Sequence, residues 1–252
     1  MKKLAIATAI LSALVISGTA NAYQTEVGVE YNRISPDKGK NGNGVSVDGA
    51  YYFNDVQTKD YPLAEAAFLN NASNVNARYE YQKSNEKINT YGIGTEIYIP
   101  DTQFYASANY DFTDNGNLPN GKKATAELGY LPVPNLLLAA GGVYQKTDSR
   151  KSETDPKIRA KYVTKFGAND VNLEASGTFG DSKVYNVAGD FYVDRTWSVG
   201  SQFERTSFKQ GTDENVWGLR TRKFINPMLS VEANAKFGKN TDIYGVGANY
   251  RF

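Results

Sequence analysis

The chain has 252 residues and contains neither cysteine nor histidine. The missing cysteines exclude disulfides, thiolate nucleophiles and Cys-ligated zinc, and the missing histidines exclude Ser-His-Asp catalysis and the commonest metal ligand. The 28 basic residues nearly balance the 27 acidic ones, whereas a nucleic-acid-binding domain carries a clear basic excess, so we expect no nucleic-acid partner.

The first predicted element is an export signal. Two lysines precede an apolar run of 13 residues, 4–16, which is shorter than the ~20 residues of a membrane-spanning helix. Small residues ending at Ala22 predict cleavage before Tyr23. The sequence therefore predicts a Sec-type signal over residues 1–22 and a mature chain over residues 23–252, with 26 basic and 27 acidic residues and a net charge of −1.

The mature chain alternates apolar and polar residues at every second position, in segments of about ten residues separated by turn clusters. In one segment, Ile158 and Ala160 alternate with Lys157 and Arg159. Residues 136–143 are apolar on both faces, so the register of that segment stays open. The pattern predicts fourteen strands: 23–34, 44–54, 73–84, 87–99, 103–113, 122–131, 136–147, 157–168, 170–180, 183–193, 196–208, 214–225, 228–238 and 241–252.

This pattern is typical of an all-β, transmembrane, antiparallel up-and-down β-barrel of the bacterial outer membrane, in contact with lipid and lipopolysaccharide. An even strand number places both termini on the periplasmic side, and short turns alternate with longer polar loops as such barrels require. A secreted β-sandwich or soluble barrel also alternates, but it packs its apolar face inward. Aromatic residues gather near predicted strand ends, where interfacial girdles lie: Tyr31, Tyr51, Phe53, Tyr110, Phe112, Tyr130, Tyr144, Phe203 and Trp217.

One stretch departs from the strand pattern. It contains Tyr52-Phe53, Asp55-Val56, the run from Pro62 to Leu69, Ala72-Ser73 and Val75. This stretch resembles the signature of a porin family of Gram-negative outer membranes, which includes a small Acinetobacter porin linked to water passage and carbapenem uptake. The resemblance implies a monomeric fourteen-stranded barrel that passively transports water and small polar solutes, small antibiotics among them. The terminal Phe252 resembles the C-terminal signal of such barrels, so the barrel-assembly machinery is an expected partner.

Residues 55–72, which we name the periplasmic segment, form the only long connection predicted on the periplasmic side. Apolar residues after Pro62 predict about two helical turns. Two arrangements remain open: a short helix resting at the membrane interface, or a segment folded into the barrel mouth that narrows it. In the second arrangement the candidate plug residues are Pro62, Leu63, Glu65, Phe68 and Leu69.

The polar faces of the predicted strands give two candidate pore-lining walls. The acidic wall comprises Glu26, Glu30, Asp48, Glu80, Glu96, Asp111 and Glu127. The basic wall comprises Lys157, Arg159, Lys161, Lys165, Arg220, Arg222, Lys236 and Arg251. Facing walls of opposite sign favour ordered water and polar or zwitterionic solutes, whereas salt bridges between them would fill the lumen. A barrel of this size predicts a narrow path instead of a wide pore.

An outer-membrane barrel of this kind has two other conceivable functions, those of an enzyme and of an adhesin. Barrel enzymes of the outer membrane rely on histidine, so we predict no enzyme. An adhesin or structural barrel acting through its outer loops remains the alternative, although residues 35–43 and 147–156 offer few aromatic anchors. No Asp-x-Asp loop is present, so we predict no metal site and no cofactor.

Overall fold

The structure, a computed structural model, describes residues 22–84, 86–149, 151–209 and 211–252. Residues 1–21 of the predicted export signal lie outside the described residues. The described chain contains fourteen strands: β1 (Ala22–Pro36), β2 (Gly42–Gln57), β3 (Asn74–Lys83), β4 (Lys87–Tyr98), β5 (Phe104–Asp114), β6 (Gly121–Val133), β7 (Leu136–Thr147), β8 (Glu153–Phe166), β9 (Asn169–Phe179), β10 (Ser182–Asp194), β11 (Trp197–Phe208), β12 (Glu214–Phe224), β13 (Leu229–Phe237) and β14 (Thr241–Arg251).

The strands form one closed antiparallel barrel. Each strand pairs with the next along the chain, and β14 pairs with β1, so the sheet has no free edge. At this seam Glu26 lies opposite Arg251, and the backbone N–H of Thr25 donates to the carbonyl of the terminal Phe252 at 2.9 Å. The fourteen-stranded barrel predicted from the alternation is confirmed.

The apolar face of the strands points outward, away from the lumen. Leu128, Ile93 and Val246 are 74, 64 and 60% exposed, because their neighbours along each strand turn toward the interior. Such exposure is too extensive for a soluble sandwich, which buries this face. The outer surface is therefore the one that contacts acyl chains.

Aromatic side chains form two outward-facing belts. On the extracellular side, the Tyr79 and Tyr91 rings lie 5.2 Å apart and the Phe203 and Trp217 rings 4.5 Å apart. On the periplasmic side, Phe104 and Tyr130 are in contact at 5.6 Å. These are the positions of the interfacial girdles, and they fix the height of the barrel in the membrane.

The register of the doubly apolar strand β7 is now defined. Leu138 and Ala140 are exposed on the lipid face, whereas Leu137, Ala139 and Val143 are buried on the inner face. Part of the lumen wall is therefore apolar.

Strand β8 starts earlier than the predicted residue 157. It begins at Glu153, which lies opposite Gln145. The alternation continues there, since Thr154 is exposed and Asp155 is buried, and the outer loop before β8 is correspondingly shorter than predicted.

The periplasmic segment contains two short helical turns. Leu63–Glu65 forms a 3-10 turn directly after Pro62, and α1 (Ala66–Leu69) is a single α-helical turn. No helix in the described ranges has the length and apolar character needed to cross a membrane.

Candidate functional site in the barrel lumen

The periplasmic segment lies across the periplasmic mouth of the barrel. Glu65, at the end of its 3-10 turn, is 6% exposed and reaches residues on distant strands. Its Oε2 is 2.8 Å from Nζ of Lys161 on β8. The hydroxyl of Tyr192 on β10 donates to its Oε1 at 2.6 Å. One carboxylate of the segment is therefore bound by two strands on the other side of the lumen.

The backbone of the segment is held from the same side. Arg251 Nη1 on β14 donates to the carbonyl of Leu63 at 2.8 Å, and the N–H of Leu63 donates to the carbonyl of Arg195 at 2.8 Å. The Arg195 guanidinium also donates to the carbonyls of Thr58 at 2.6 Å and Tyr61 at 3.2 Å. Hydrogen bonds to charged donors are the stronger class, so these contacts fix the segment in place.

Apolar side chains of the segment pack into two hydrophobic clusters. Ala66 and Ala72 pack with Val56 against the rings of Tyr23 and Tyr52. Phe68 packs against a second cluster, made of Tyr98, Tyr105, Leu131 and Leu137. Burial of the Phe68 ring contributes roughly 2 kcal/mol relative to exposure in water. The apolar residue Leu137 on the inner face of β7 is thus explained by its place in the cluster that Phe68 contacts.

The candidate plug residues fall into two groups. Pro62, Leu63 and Glu65 are buried, and Phe68 lies on the second apolar cluster with Lys161 Nζ 4.8 Å from its ring centre. Leu69 instead borders a groove at the periplasmic rim. The segment therefore contacts the inner wall from Pro62 to Phe68 and returns to β3 along the rim.

Most charges of the two candidate walls form pairs along the lumen. The basic residues of β8 reach acids two strands or more away, as in Lys157 to Glu127 at 3.3 Å and Arg159 to Glu96 at 3.7 Å. The other pairs are Arg159–Glu127 at 3.5 Å, Lys161–Glu174 at 3.2 Å, Lys165–Asp170 at 3.0 Å, Arg220–Asp190 at 2.6 Å, Arg222–Glu26 at 3.2 Å, Arg222–Glu232 at 3.5 Å, Arg251–Glu26 at 2.8 Å and Arg78–Asp111 at 2.9 Å.

The remaining predicted wall residues have neutral partners or no ion pair. Glu30 accepts from Asn234 at 2.9 Å, and Glu80 accepts from Gln82. Among the described residues, Asp48 and Lys236 have no oppositely charged side chain within 4.0 Å. Because most acidic and basic side chains neutralise each other in pairs, the described lumen does not have one acidic wall facing one basic wall.

A polar cavity of about 330 Å³ lies inside the barrel above the segment. Its lining includes Glu30, Arg220 and Lys236 from the walls, together with Ala64 and Glu65 from the segment. The cavity is large enough for several water molecules. The segment thus borders a polar cavity of the lumen on its periplasmic side.

The sequence pattern did not identify Tyr192 or Arg195 as contacts of this site. Tyr192 lies on the polar face of β10, in line with Asp190. A tyrosine on the lumen face near a strand end could have indicated a contact with the segment. The doubly apolar run that contains Leu137 was a second signal. Arg195 occupies a turn, where side-chain direction does not follow from alternation.

Arg251 gives the first testable prediction, because it is 2% exposed and has several partners. Its Nε donates to Glu26 at 2.8 Å, and its guanidinium lies 4.4 Å from the Tyr23 ring centre and 4.6 Å from that of Phe224. We expect Arg251→Leu to lower the free energy of unfolding by about 3 kcal/mol, since Glu26 loses a buried partner. Urea unfolding in lipid vesicles, followed by tryptophan fluorescence, measures this loss.

The matched control is Arg205→Leu, which removes an arginine from a half-exposed pair at the outer end. Arg205 donates to Asp213 at 2.6 Å and thereby lowers the pKa of that carboxyl. Water screens this pair, so we expect little change in stability. Equal losses in the two variants would contradict the assigned role of Arg251.

The fold and the lumen define a class of protein, the outer-membrane β-barrel of the porin type. Residues 1–150 match the sequence family described as "Putative general bacterial porin". The crystal structure of Acinetobacter baumannii outer membrane protein Omp33 is similar at 32% identity and a TM-score of 0.76, over 92% of this chain and 99% of that chain. The chain belongs to this general bacterial porin family, and the predicted family and outer-membrane location are confirmed.

A more distant structure shares the fold alone. The bacterial polysaccharide outer membrane secretin is 10% identical with a TM-score of 0.52, over 91% of this chain and 99% of that chain. No curated protein matches the sequence significantly. Within the described ranges, no group of three or more acidic side chains converges as a metal site.

Proposed function

We propose that this porin carries water and small polar solutes along the ionic lumen, and that the periplasmic segment closes the path in the state described. The observation that carries the proposal is the binding of Glu65 by Lys161 and Tyr192 across the mouth. The segment is attached to the barrel at β2 and β3 and is held elsewhere only by noncovalent contacts. Release of these contacts opens the mouth without any change in the barrel.

The paired charges of the wall support a preference for small polar solutes. Fixed ion pairs leave donors and acceptors directed at the path, which suits water, sugars and zwitterionic antibiotics of small size. The same side chains reduce the free cross-section. In liposome-swelling assays we expect monosaccharides to pass through the molecules in which the segment is released, and trisaccharides to be excluded. Free trisaccharide passage would contradict the narrow path, and absent osmotic water flux would contradict a channel.

Ion selectivity provides a second prediction, based on Lys236. This side chain lines the lumen cavity, and within the described residues it has no ion-pair partner, so its charge acts on passing ions. We expect Lys236→Glu to shift the reversal potential toward cations in planar bilayers.

Lys183→Glu is the matched control, because Lys183 is exposed on the outward face of β10 in line with Tyr185 and Val187. It introduces the same change in charge outside the lumen, so we expect the reversal potential to stay near that of the native protein. A shift equal to that of Lys236→Glu would mean that Lys236 does not border the path.

A further inference from the structure

Two lysines lie side by side on the outer surface of the barrel, near its extracellular end. Lys122 on β6 and Lys146 on β7 are directly opposite each other in the register. Both are exposed, and both have the strand parity of lipid-facing Leu128 and Leu138. Like charges placed directly opposite on a sheet repel each other. Within the described residues neither lysine forms an ion pair with a carboxylate of the protein.

The neighbouring carboxylate on this face does not neutralise the pair. Asp114 on β5 is diagonal to Lys122 in the register. It instead accepts a hydrogen bond from the backbone N–H of Gly116 at 3.0 Å. The arrangement therefore leaves two adjacent, exposed lysines without a carboxylate partner on this face.

The depth of the pair in the membrane indicates what neutralises it. Lys146 is the next outward-facing residue after Tyr144 on β7. Tyr144 is an exposed aromatic residue near the extracellular end of the strand, as in the extracellular aromatic belt. Residues directly above that belt lie at the level of the lipid head groups. Anionic groups at this level are the phosphates of lipids, and lysine ammonium groups bind phosphate.

An apolar groove of about 760 Å³ lies directly below the lysine pair on the lipid face. Its lining includes Ala124 and Tyr144, which form the next outward pair below Lys122 and Lys146. Its lining also includes Ala108 and Ala126, which have small side chains, and Gly142, which has none. A groove of this shape accepts acyl chains, whereas the surface below the other lysine pair, Lys83 and Lys87, carries the packed rings of Tyr79 and Tyr91.

We propose that this surface is a binding site for a phosphorylated lipid of the outer leaflet. The ammonium groups of Lys122 and Lys146 hold a phosphate of the head group, and the groove below them holds an acyl chain. The site lies outside the lumen, so it is independent of transport.

Lipid binding to the purified barrel in neutral detergent tests this site. The probes are lipid A with its two phosphates and the same lipid after dephosphorylation, titrated by native mass spectrometry. We expect the native protein to bind the phosphorylated probe about tenfold more tightly, and Lys122→Ser/Lys146→Ser to lose about tenfold in affinity for it. We expect Ala126→Leu, which fills the groove, to weaken the binding of both probes.

The chain provides a matched control for charge. Lys83→Ser/Lys87→Ser removes two lysines that are also opposite each other in the register and exposed, but the surface below them carries the packed rings of Tyr79 and Tyr91. We expect this variant to bind lipid A as the native protein does. The proposal is overturned if the two double variants lose equal affinity, if Lys122→Ser/Lys146→Ser binds like the native protein, or if Ala126→Leu has no effect.

Discussion

Replacement of residues 54–72 by an Asn-Gly dipeptide is expected to convert the closed barrel into an open channel with a several-fold higher conductance. The two strands involved already meet at the right place. Tyr52 lies opposite Asn74, and the N–H of Phe53 donates to the carbonyl of Ser73 at 3.0 Å. A two-residue Asn-Gly turn joins strands paired in this way. The variant loses the last four residues of β2, which include the partners of Ala22 and Tyr23 on β1. We expect the rest of the barrel to be retained and every contact that the segment makes across the mouth to be lost.

Planar-bilayer recording measures the conductance, and liposome swelling measures the size of solute that passes. Circular dichroism establishes that the shortened protein is still a β-barrel. As a control, residues 37–41 of the first outer loop are replaced by the same dipeptide, which shortens a loop on the opposite side of the membrane. We expect no conductance change in the control. Unchanged conductance in a folded variant that lacks residues 54–72 would mean that the segment does not close the path.

Glu65→Gln is expected to have the second-largest effect on opening. The substitution removes the charge that binds Lys161 at 2.8 Å and places an amide beside its ammonium group. A charged hydrogen bond of this kind is worth about 2 kcal/mol. We therefore expect the ratio of open to closed molecules to rise by roughly thirtyfold, visible as longer open times in single-channel records.

The control for this variant is Glu174→Gln. Glu174 is the other carboxylate bound to Lys161, at 3.2 Å, and it lies on β9, outside the periplasmic segment. Both substitutions remove one negative charge beside the same ammonium group, but only Glu65 belongs to the segment. We expect Glu174→Gln to leave the open fraction unchanged or to lower it, because Lys161 is then bound by Glu65 alone. Equal opening in both variants would indicate a change in lumen charge, not release of the segment.

The barrel could be predicted from the sequence because alternation is a local property. Residues such as Ile158 and Lys157 report their faces through spacing alone, and repetition over fourteen segments determines strand number and orientation. The family signature around Pro62 likewise indicates the segment that lies across the mouth in the structure.

The pairing of charges could not be read from spacing. Which acid Arg222 contacts depends on strand tilt and on side-chain rotamers, and it reaches Glu26 on the far side of β13 and β14. Arg195 lies in a turn, so its direction toward the segment follows from no periodicity. The inner apolar surface at Leu137 was visible only as an ambiguity, because its partner Phe68 is distant in sequence.

Arg251 connects the closure of the barrel to the position of the periplasmic segment. This side chain joins the first and last strands through Glu26 and also holds the carbonyl of Leu63. One guanidinium therefore serves two junctions whose residues are far apart in the sequence. Damage to the contact between the first and last strands is accordingly expected to loosen the segment as well, so the two properties of the barrel should change together in any variant at this position.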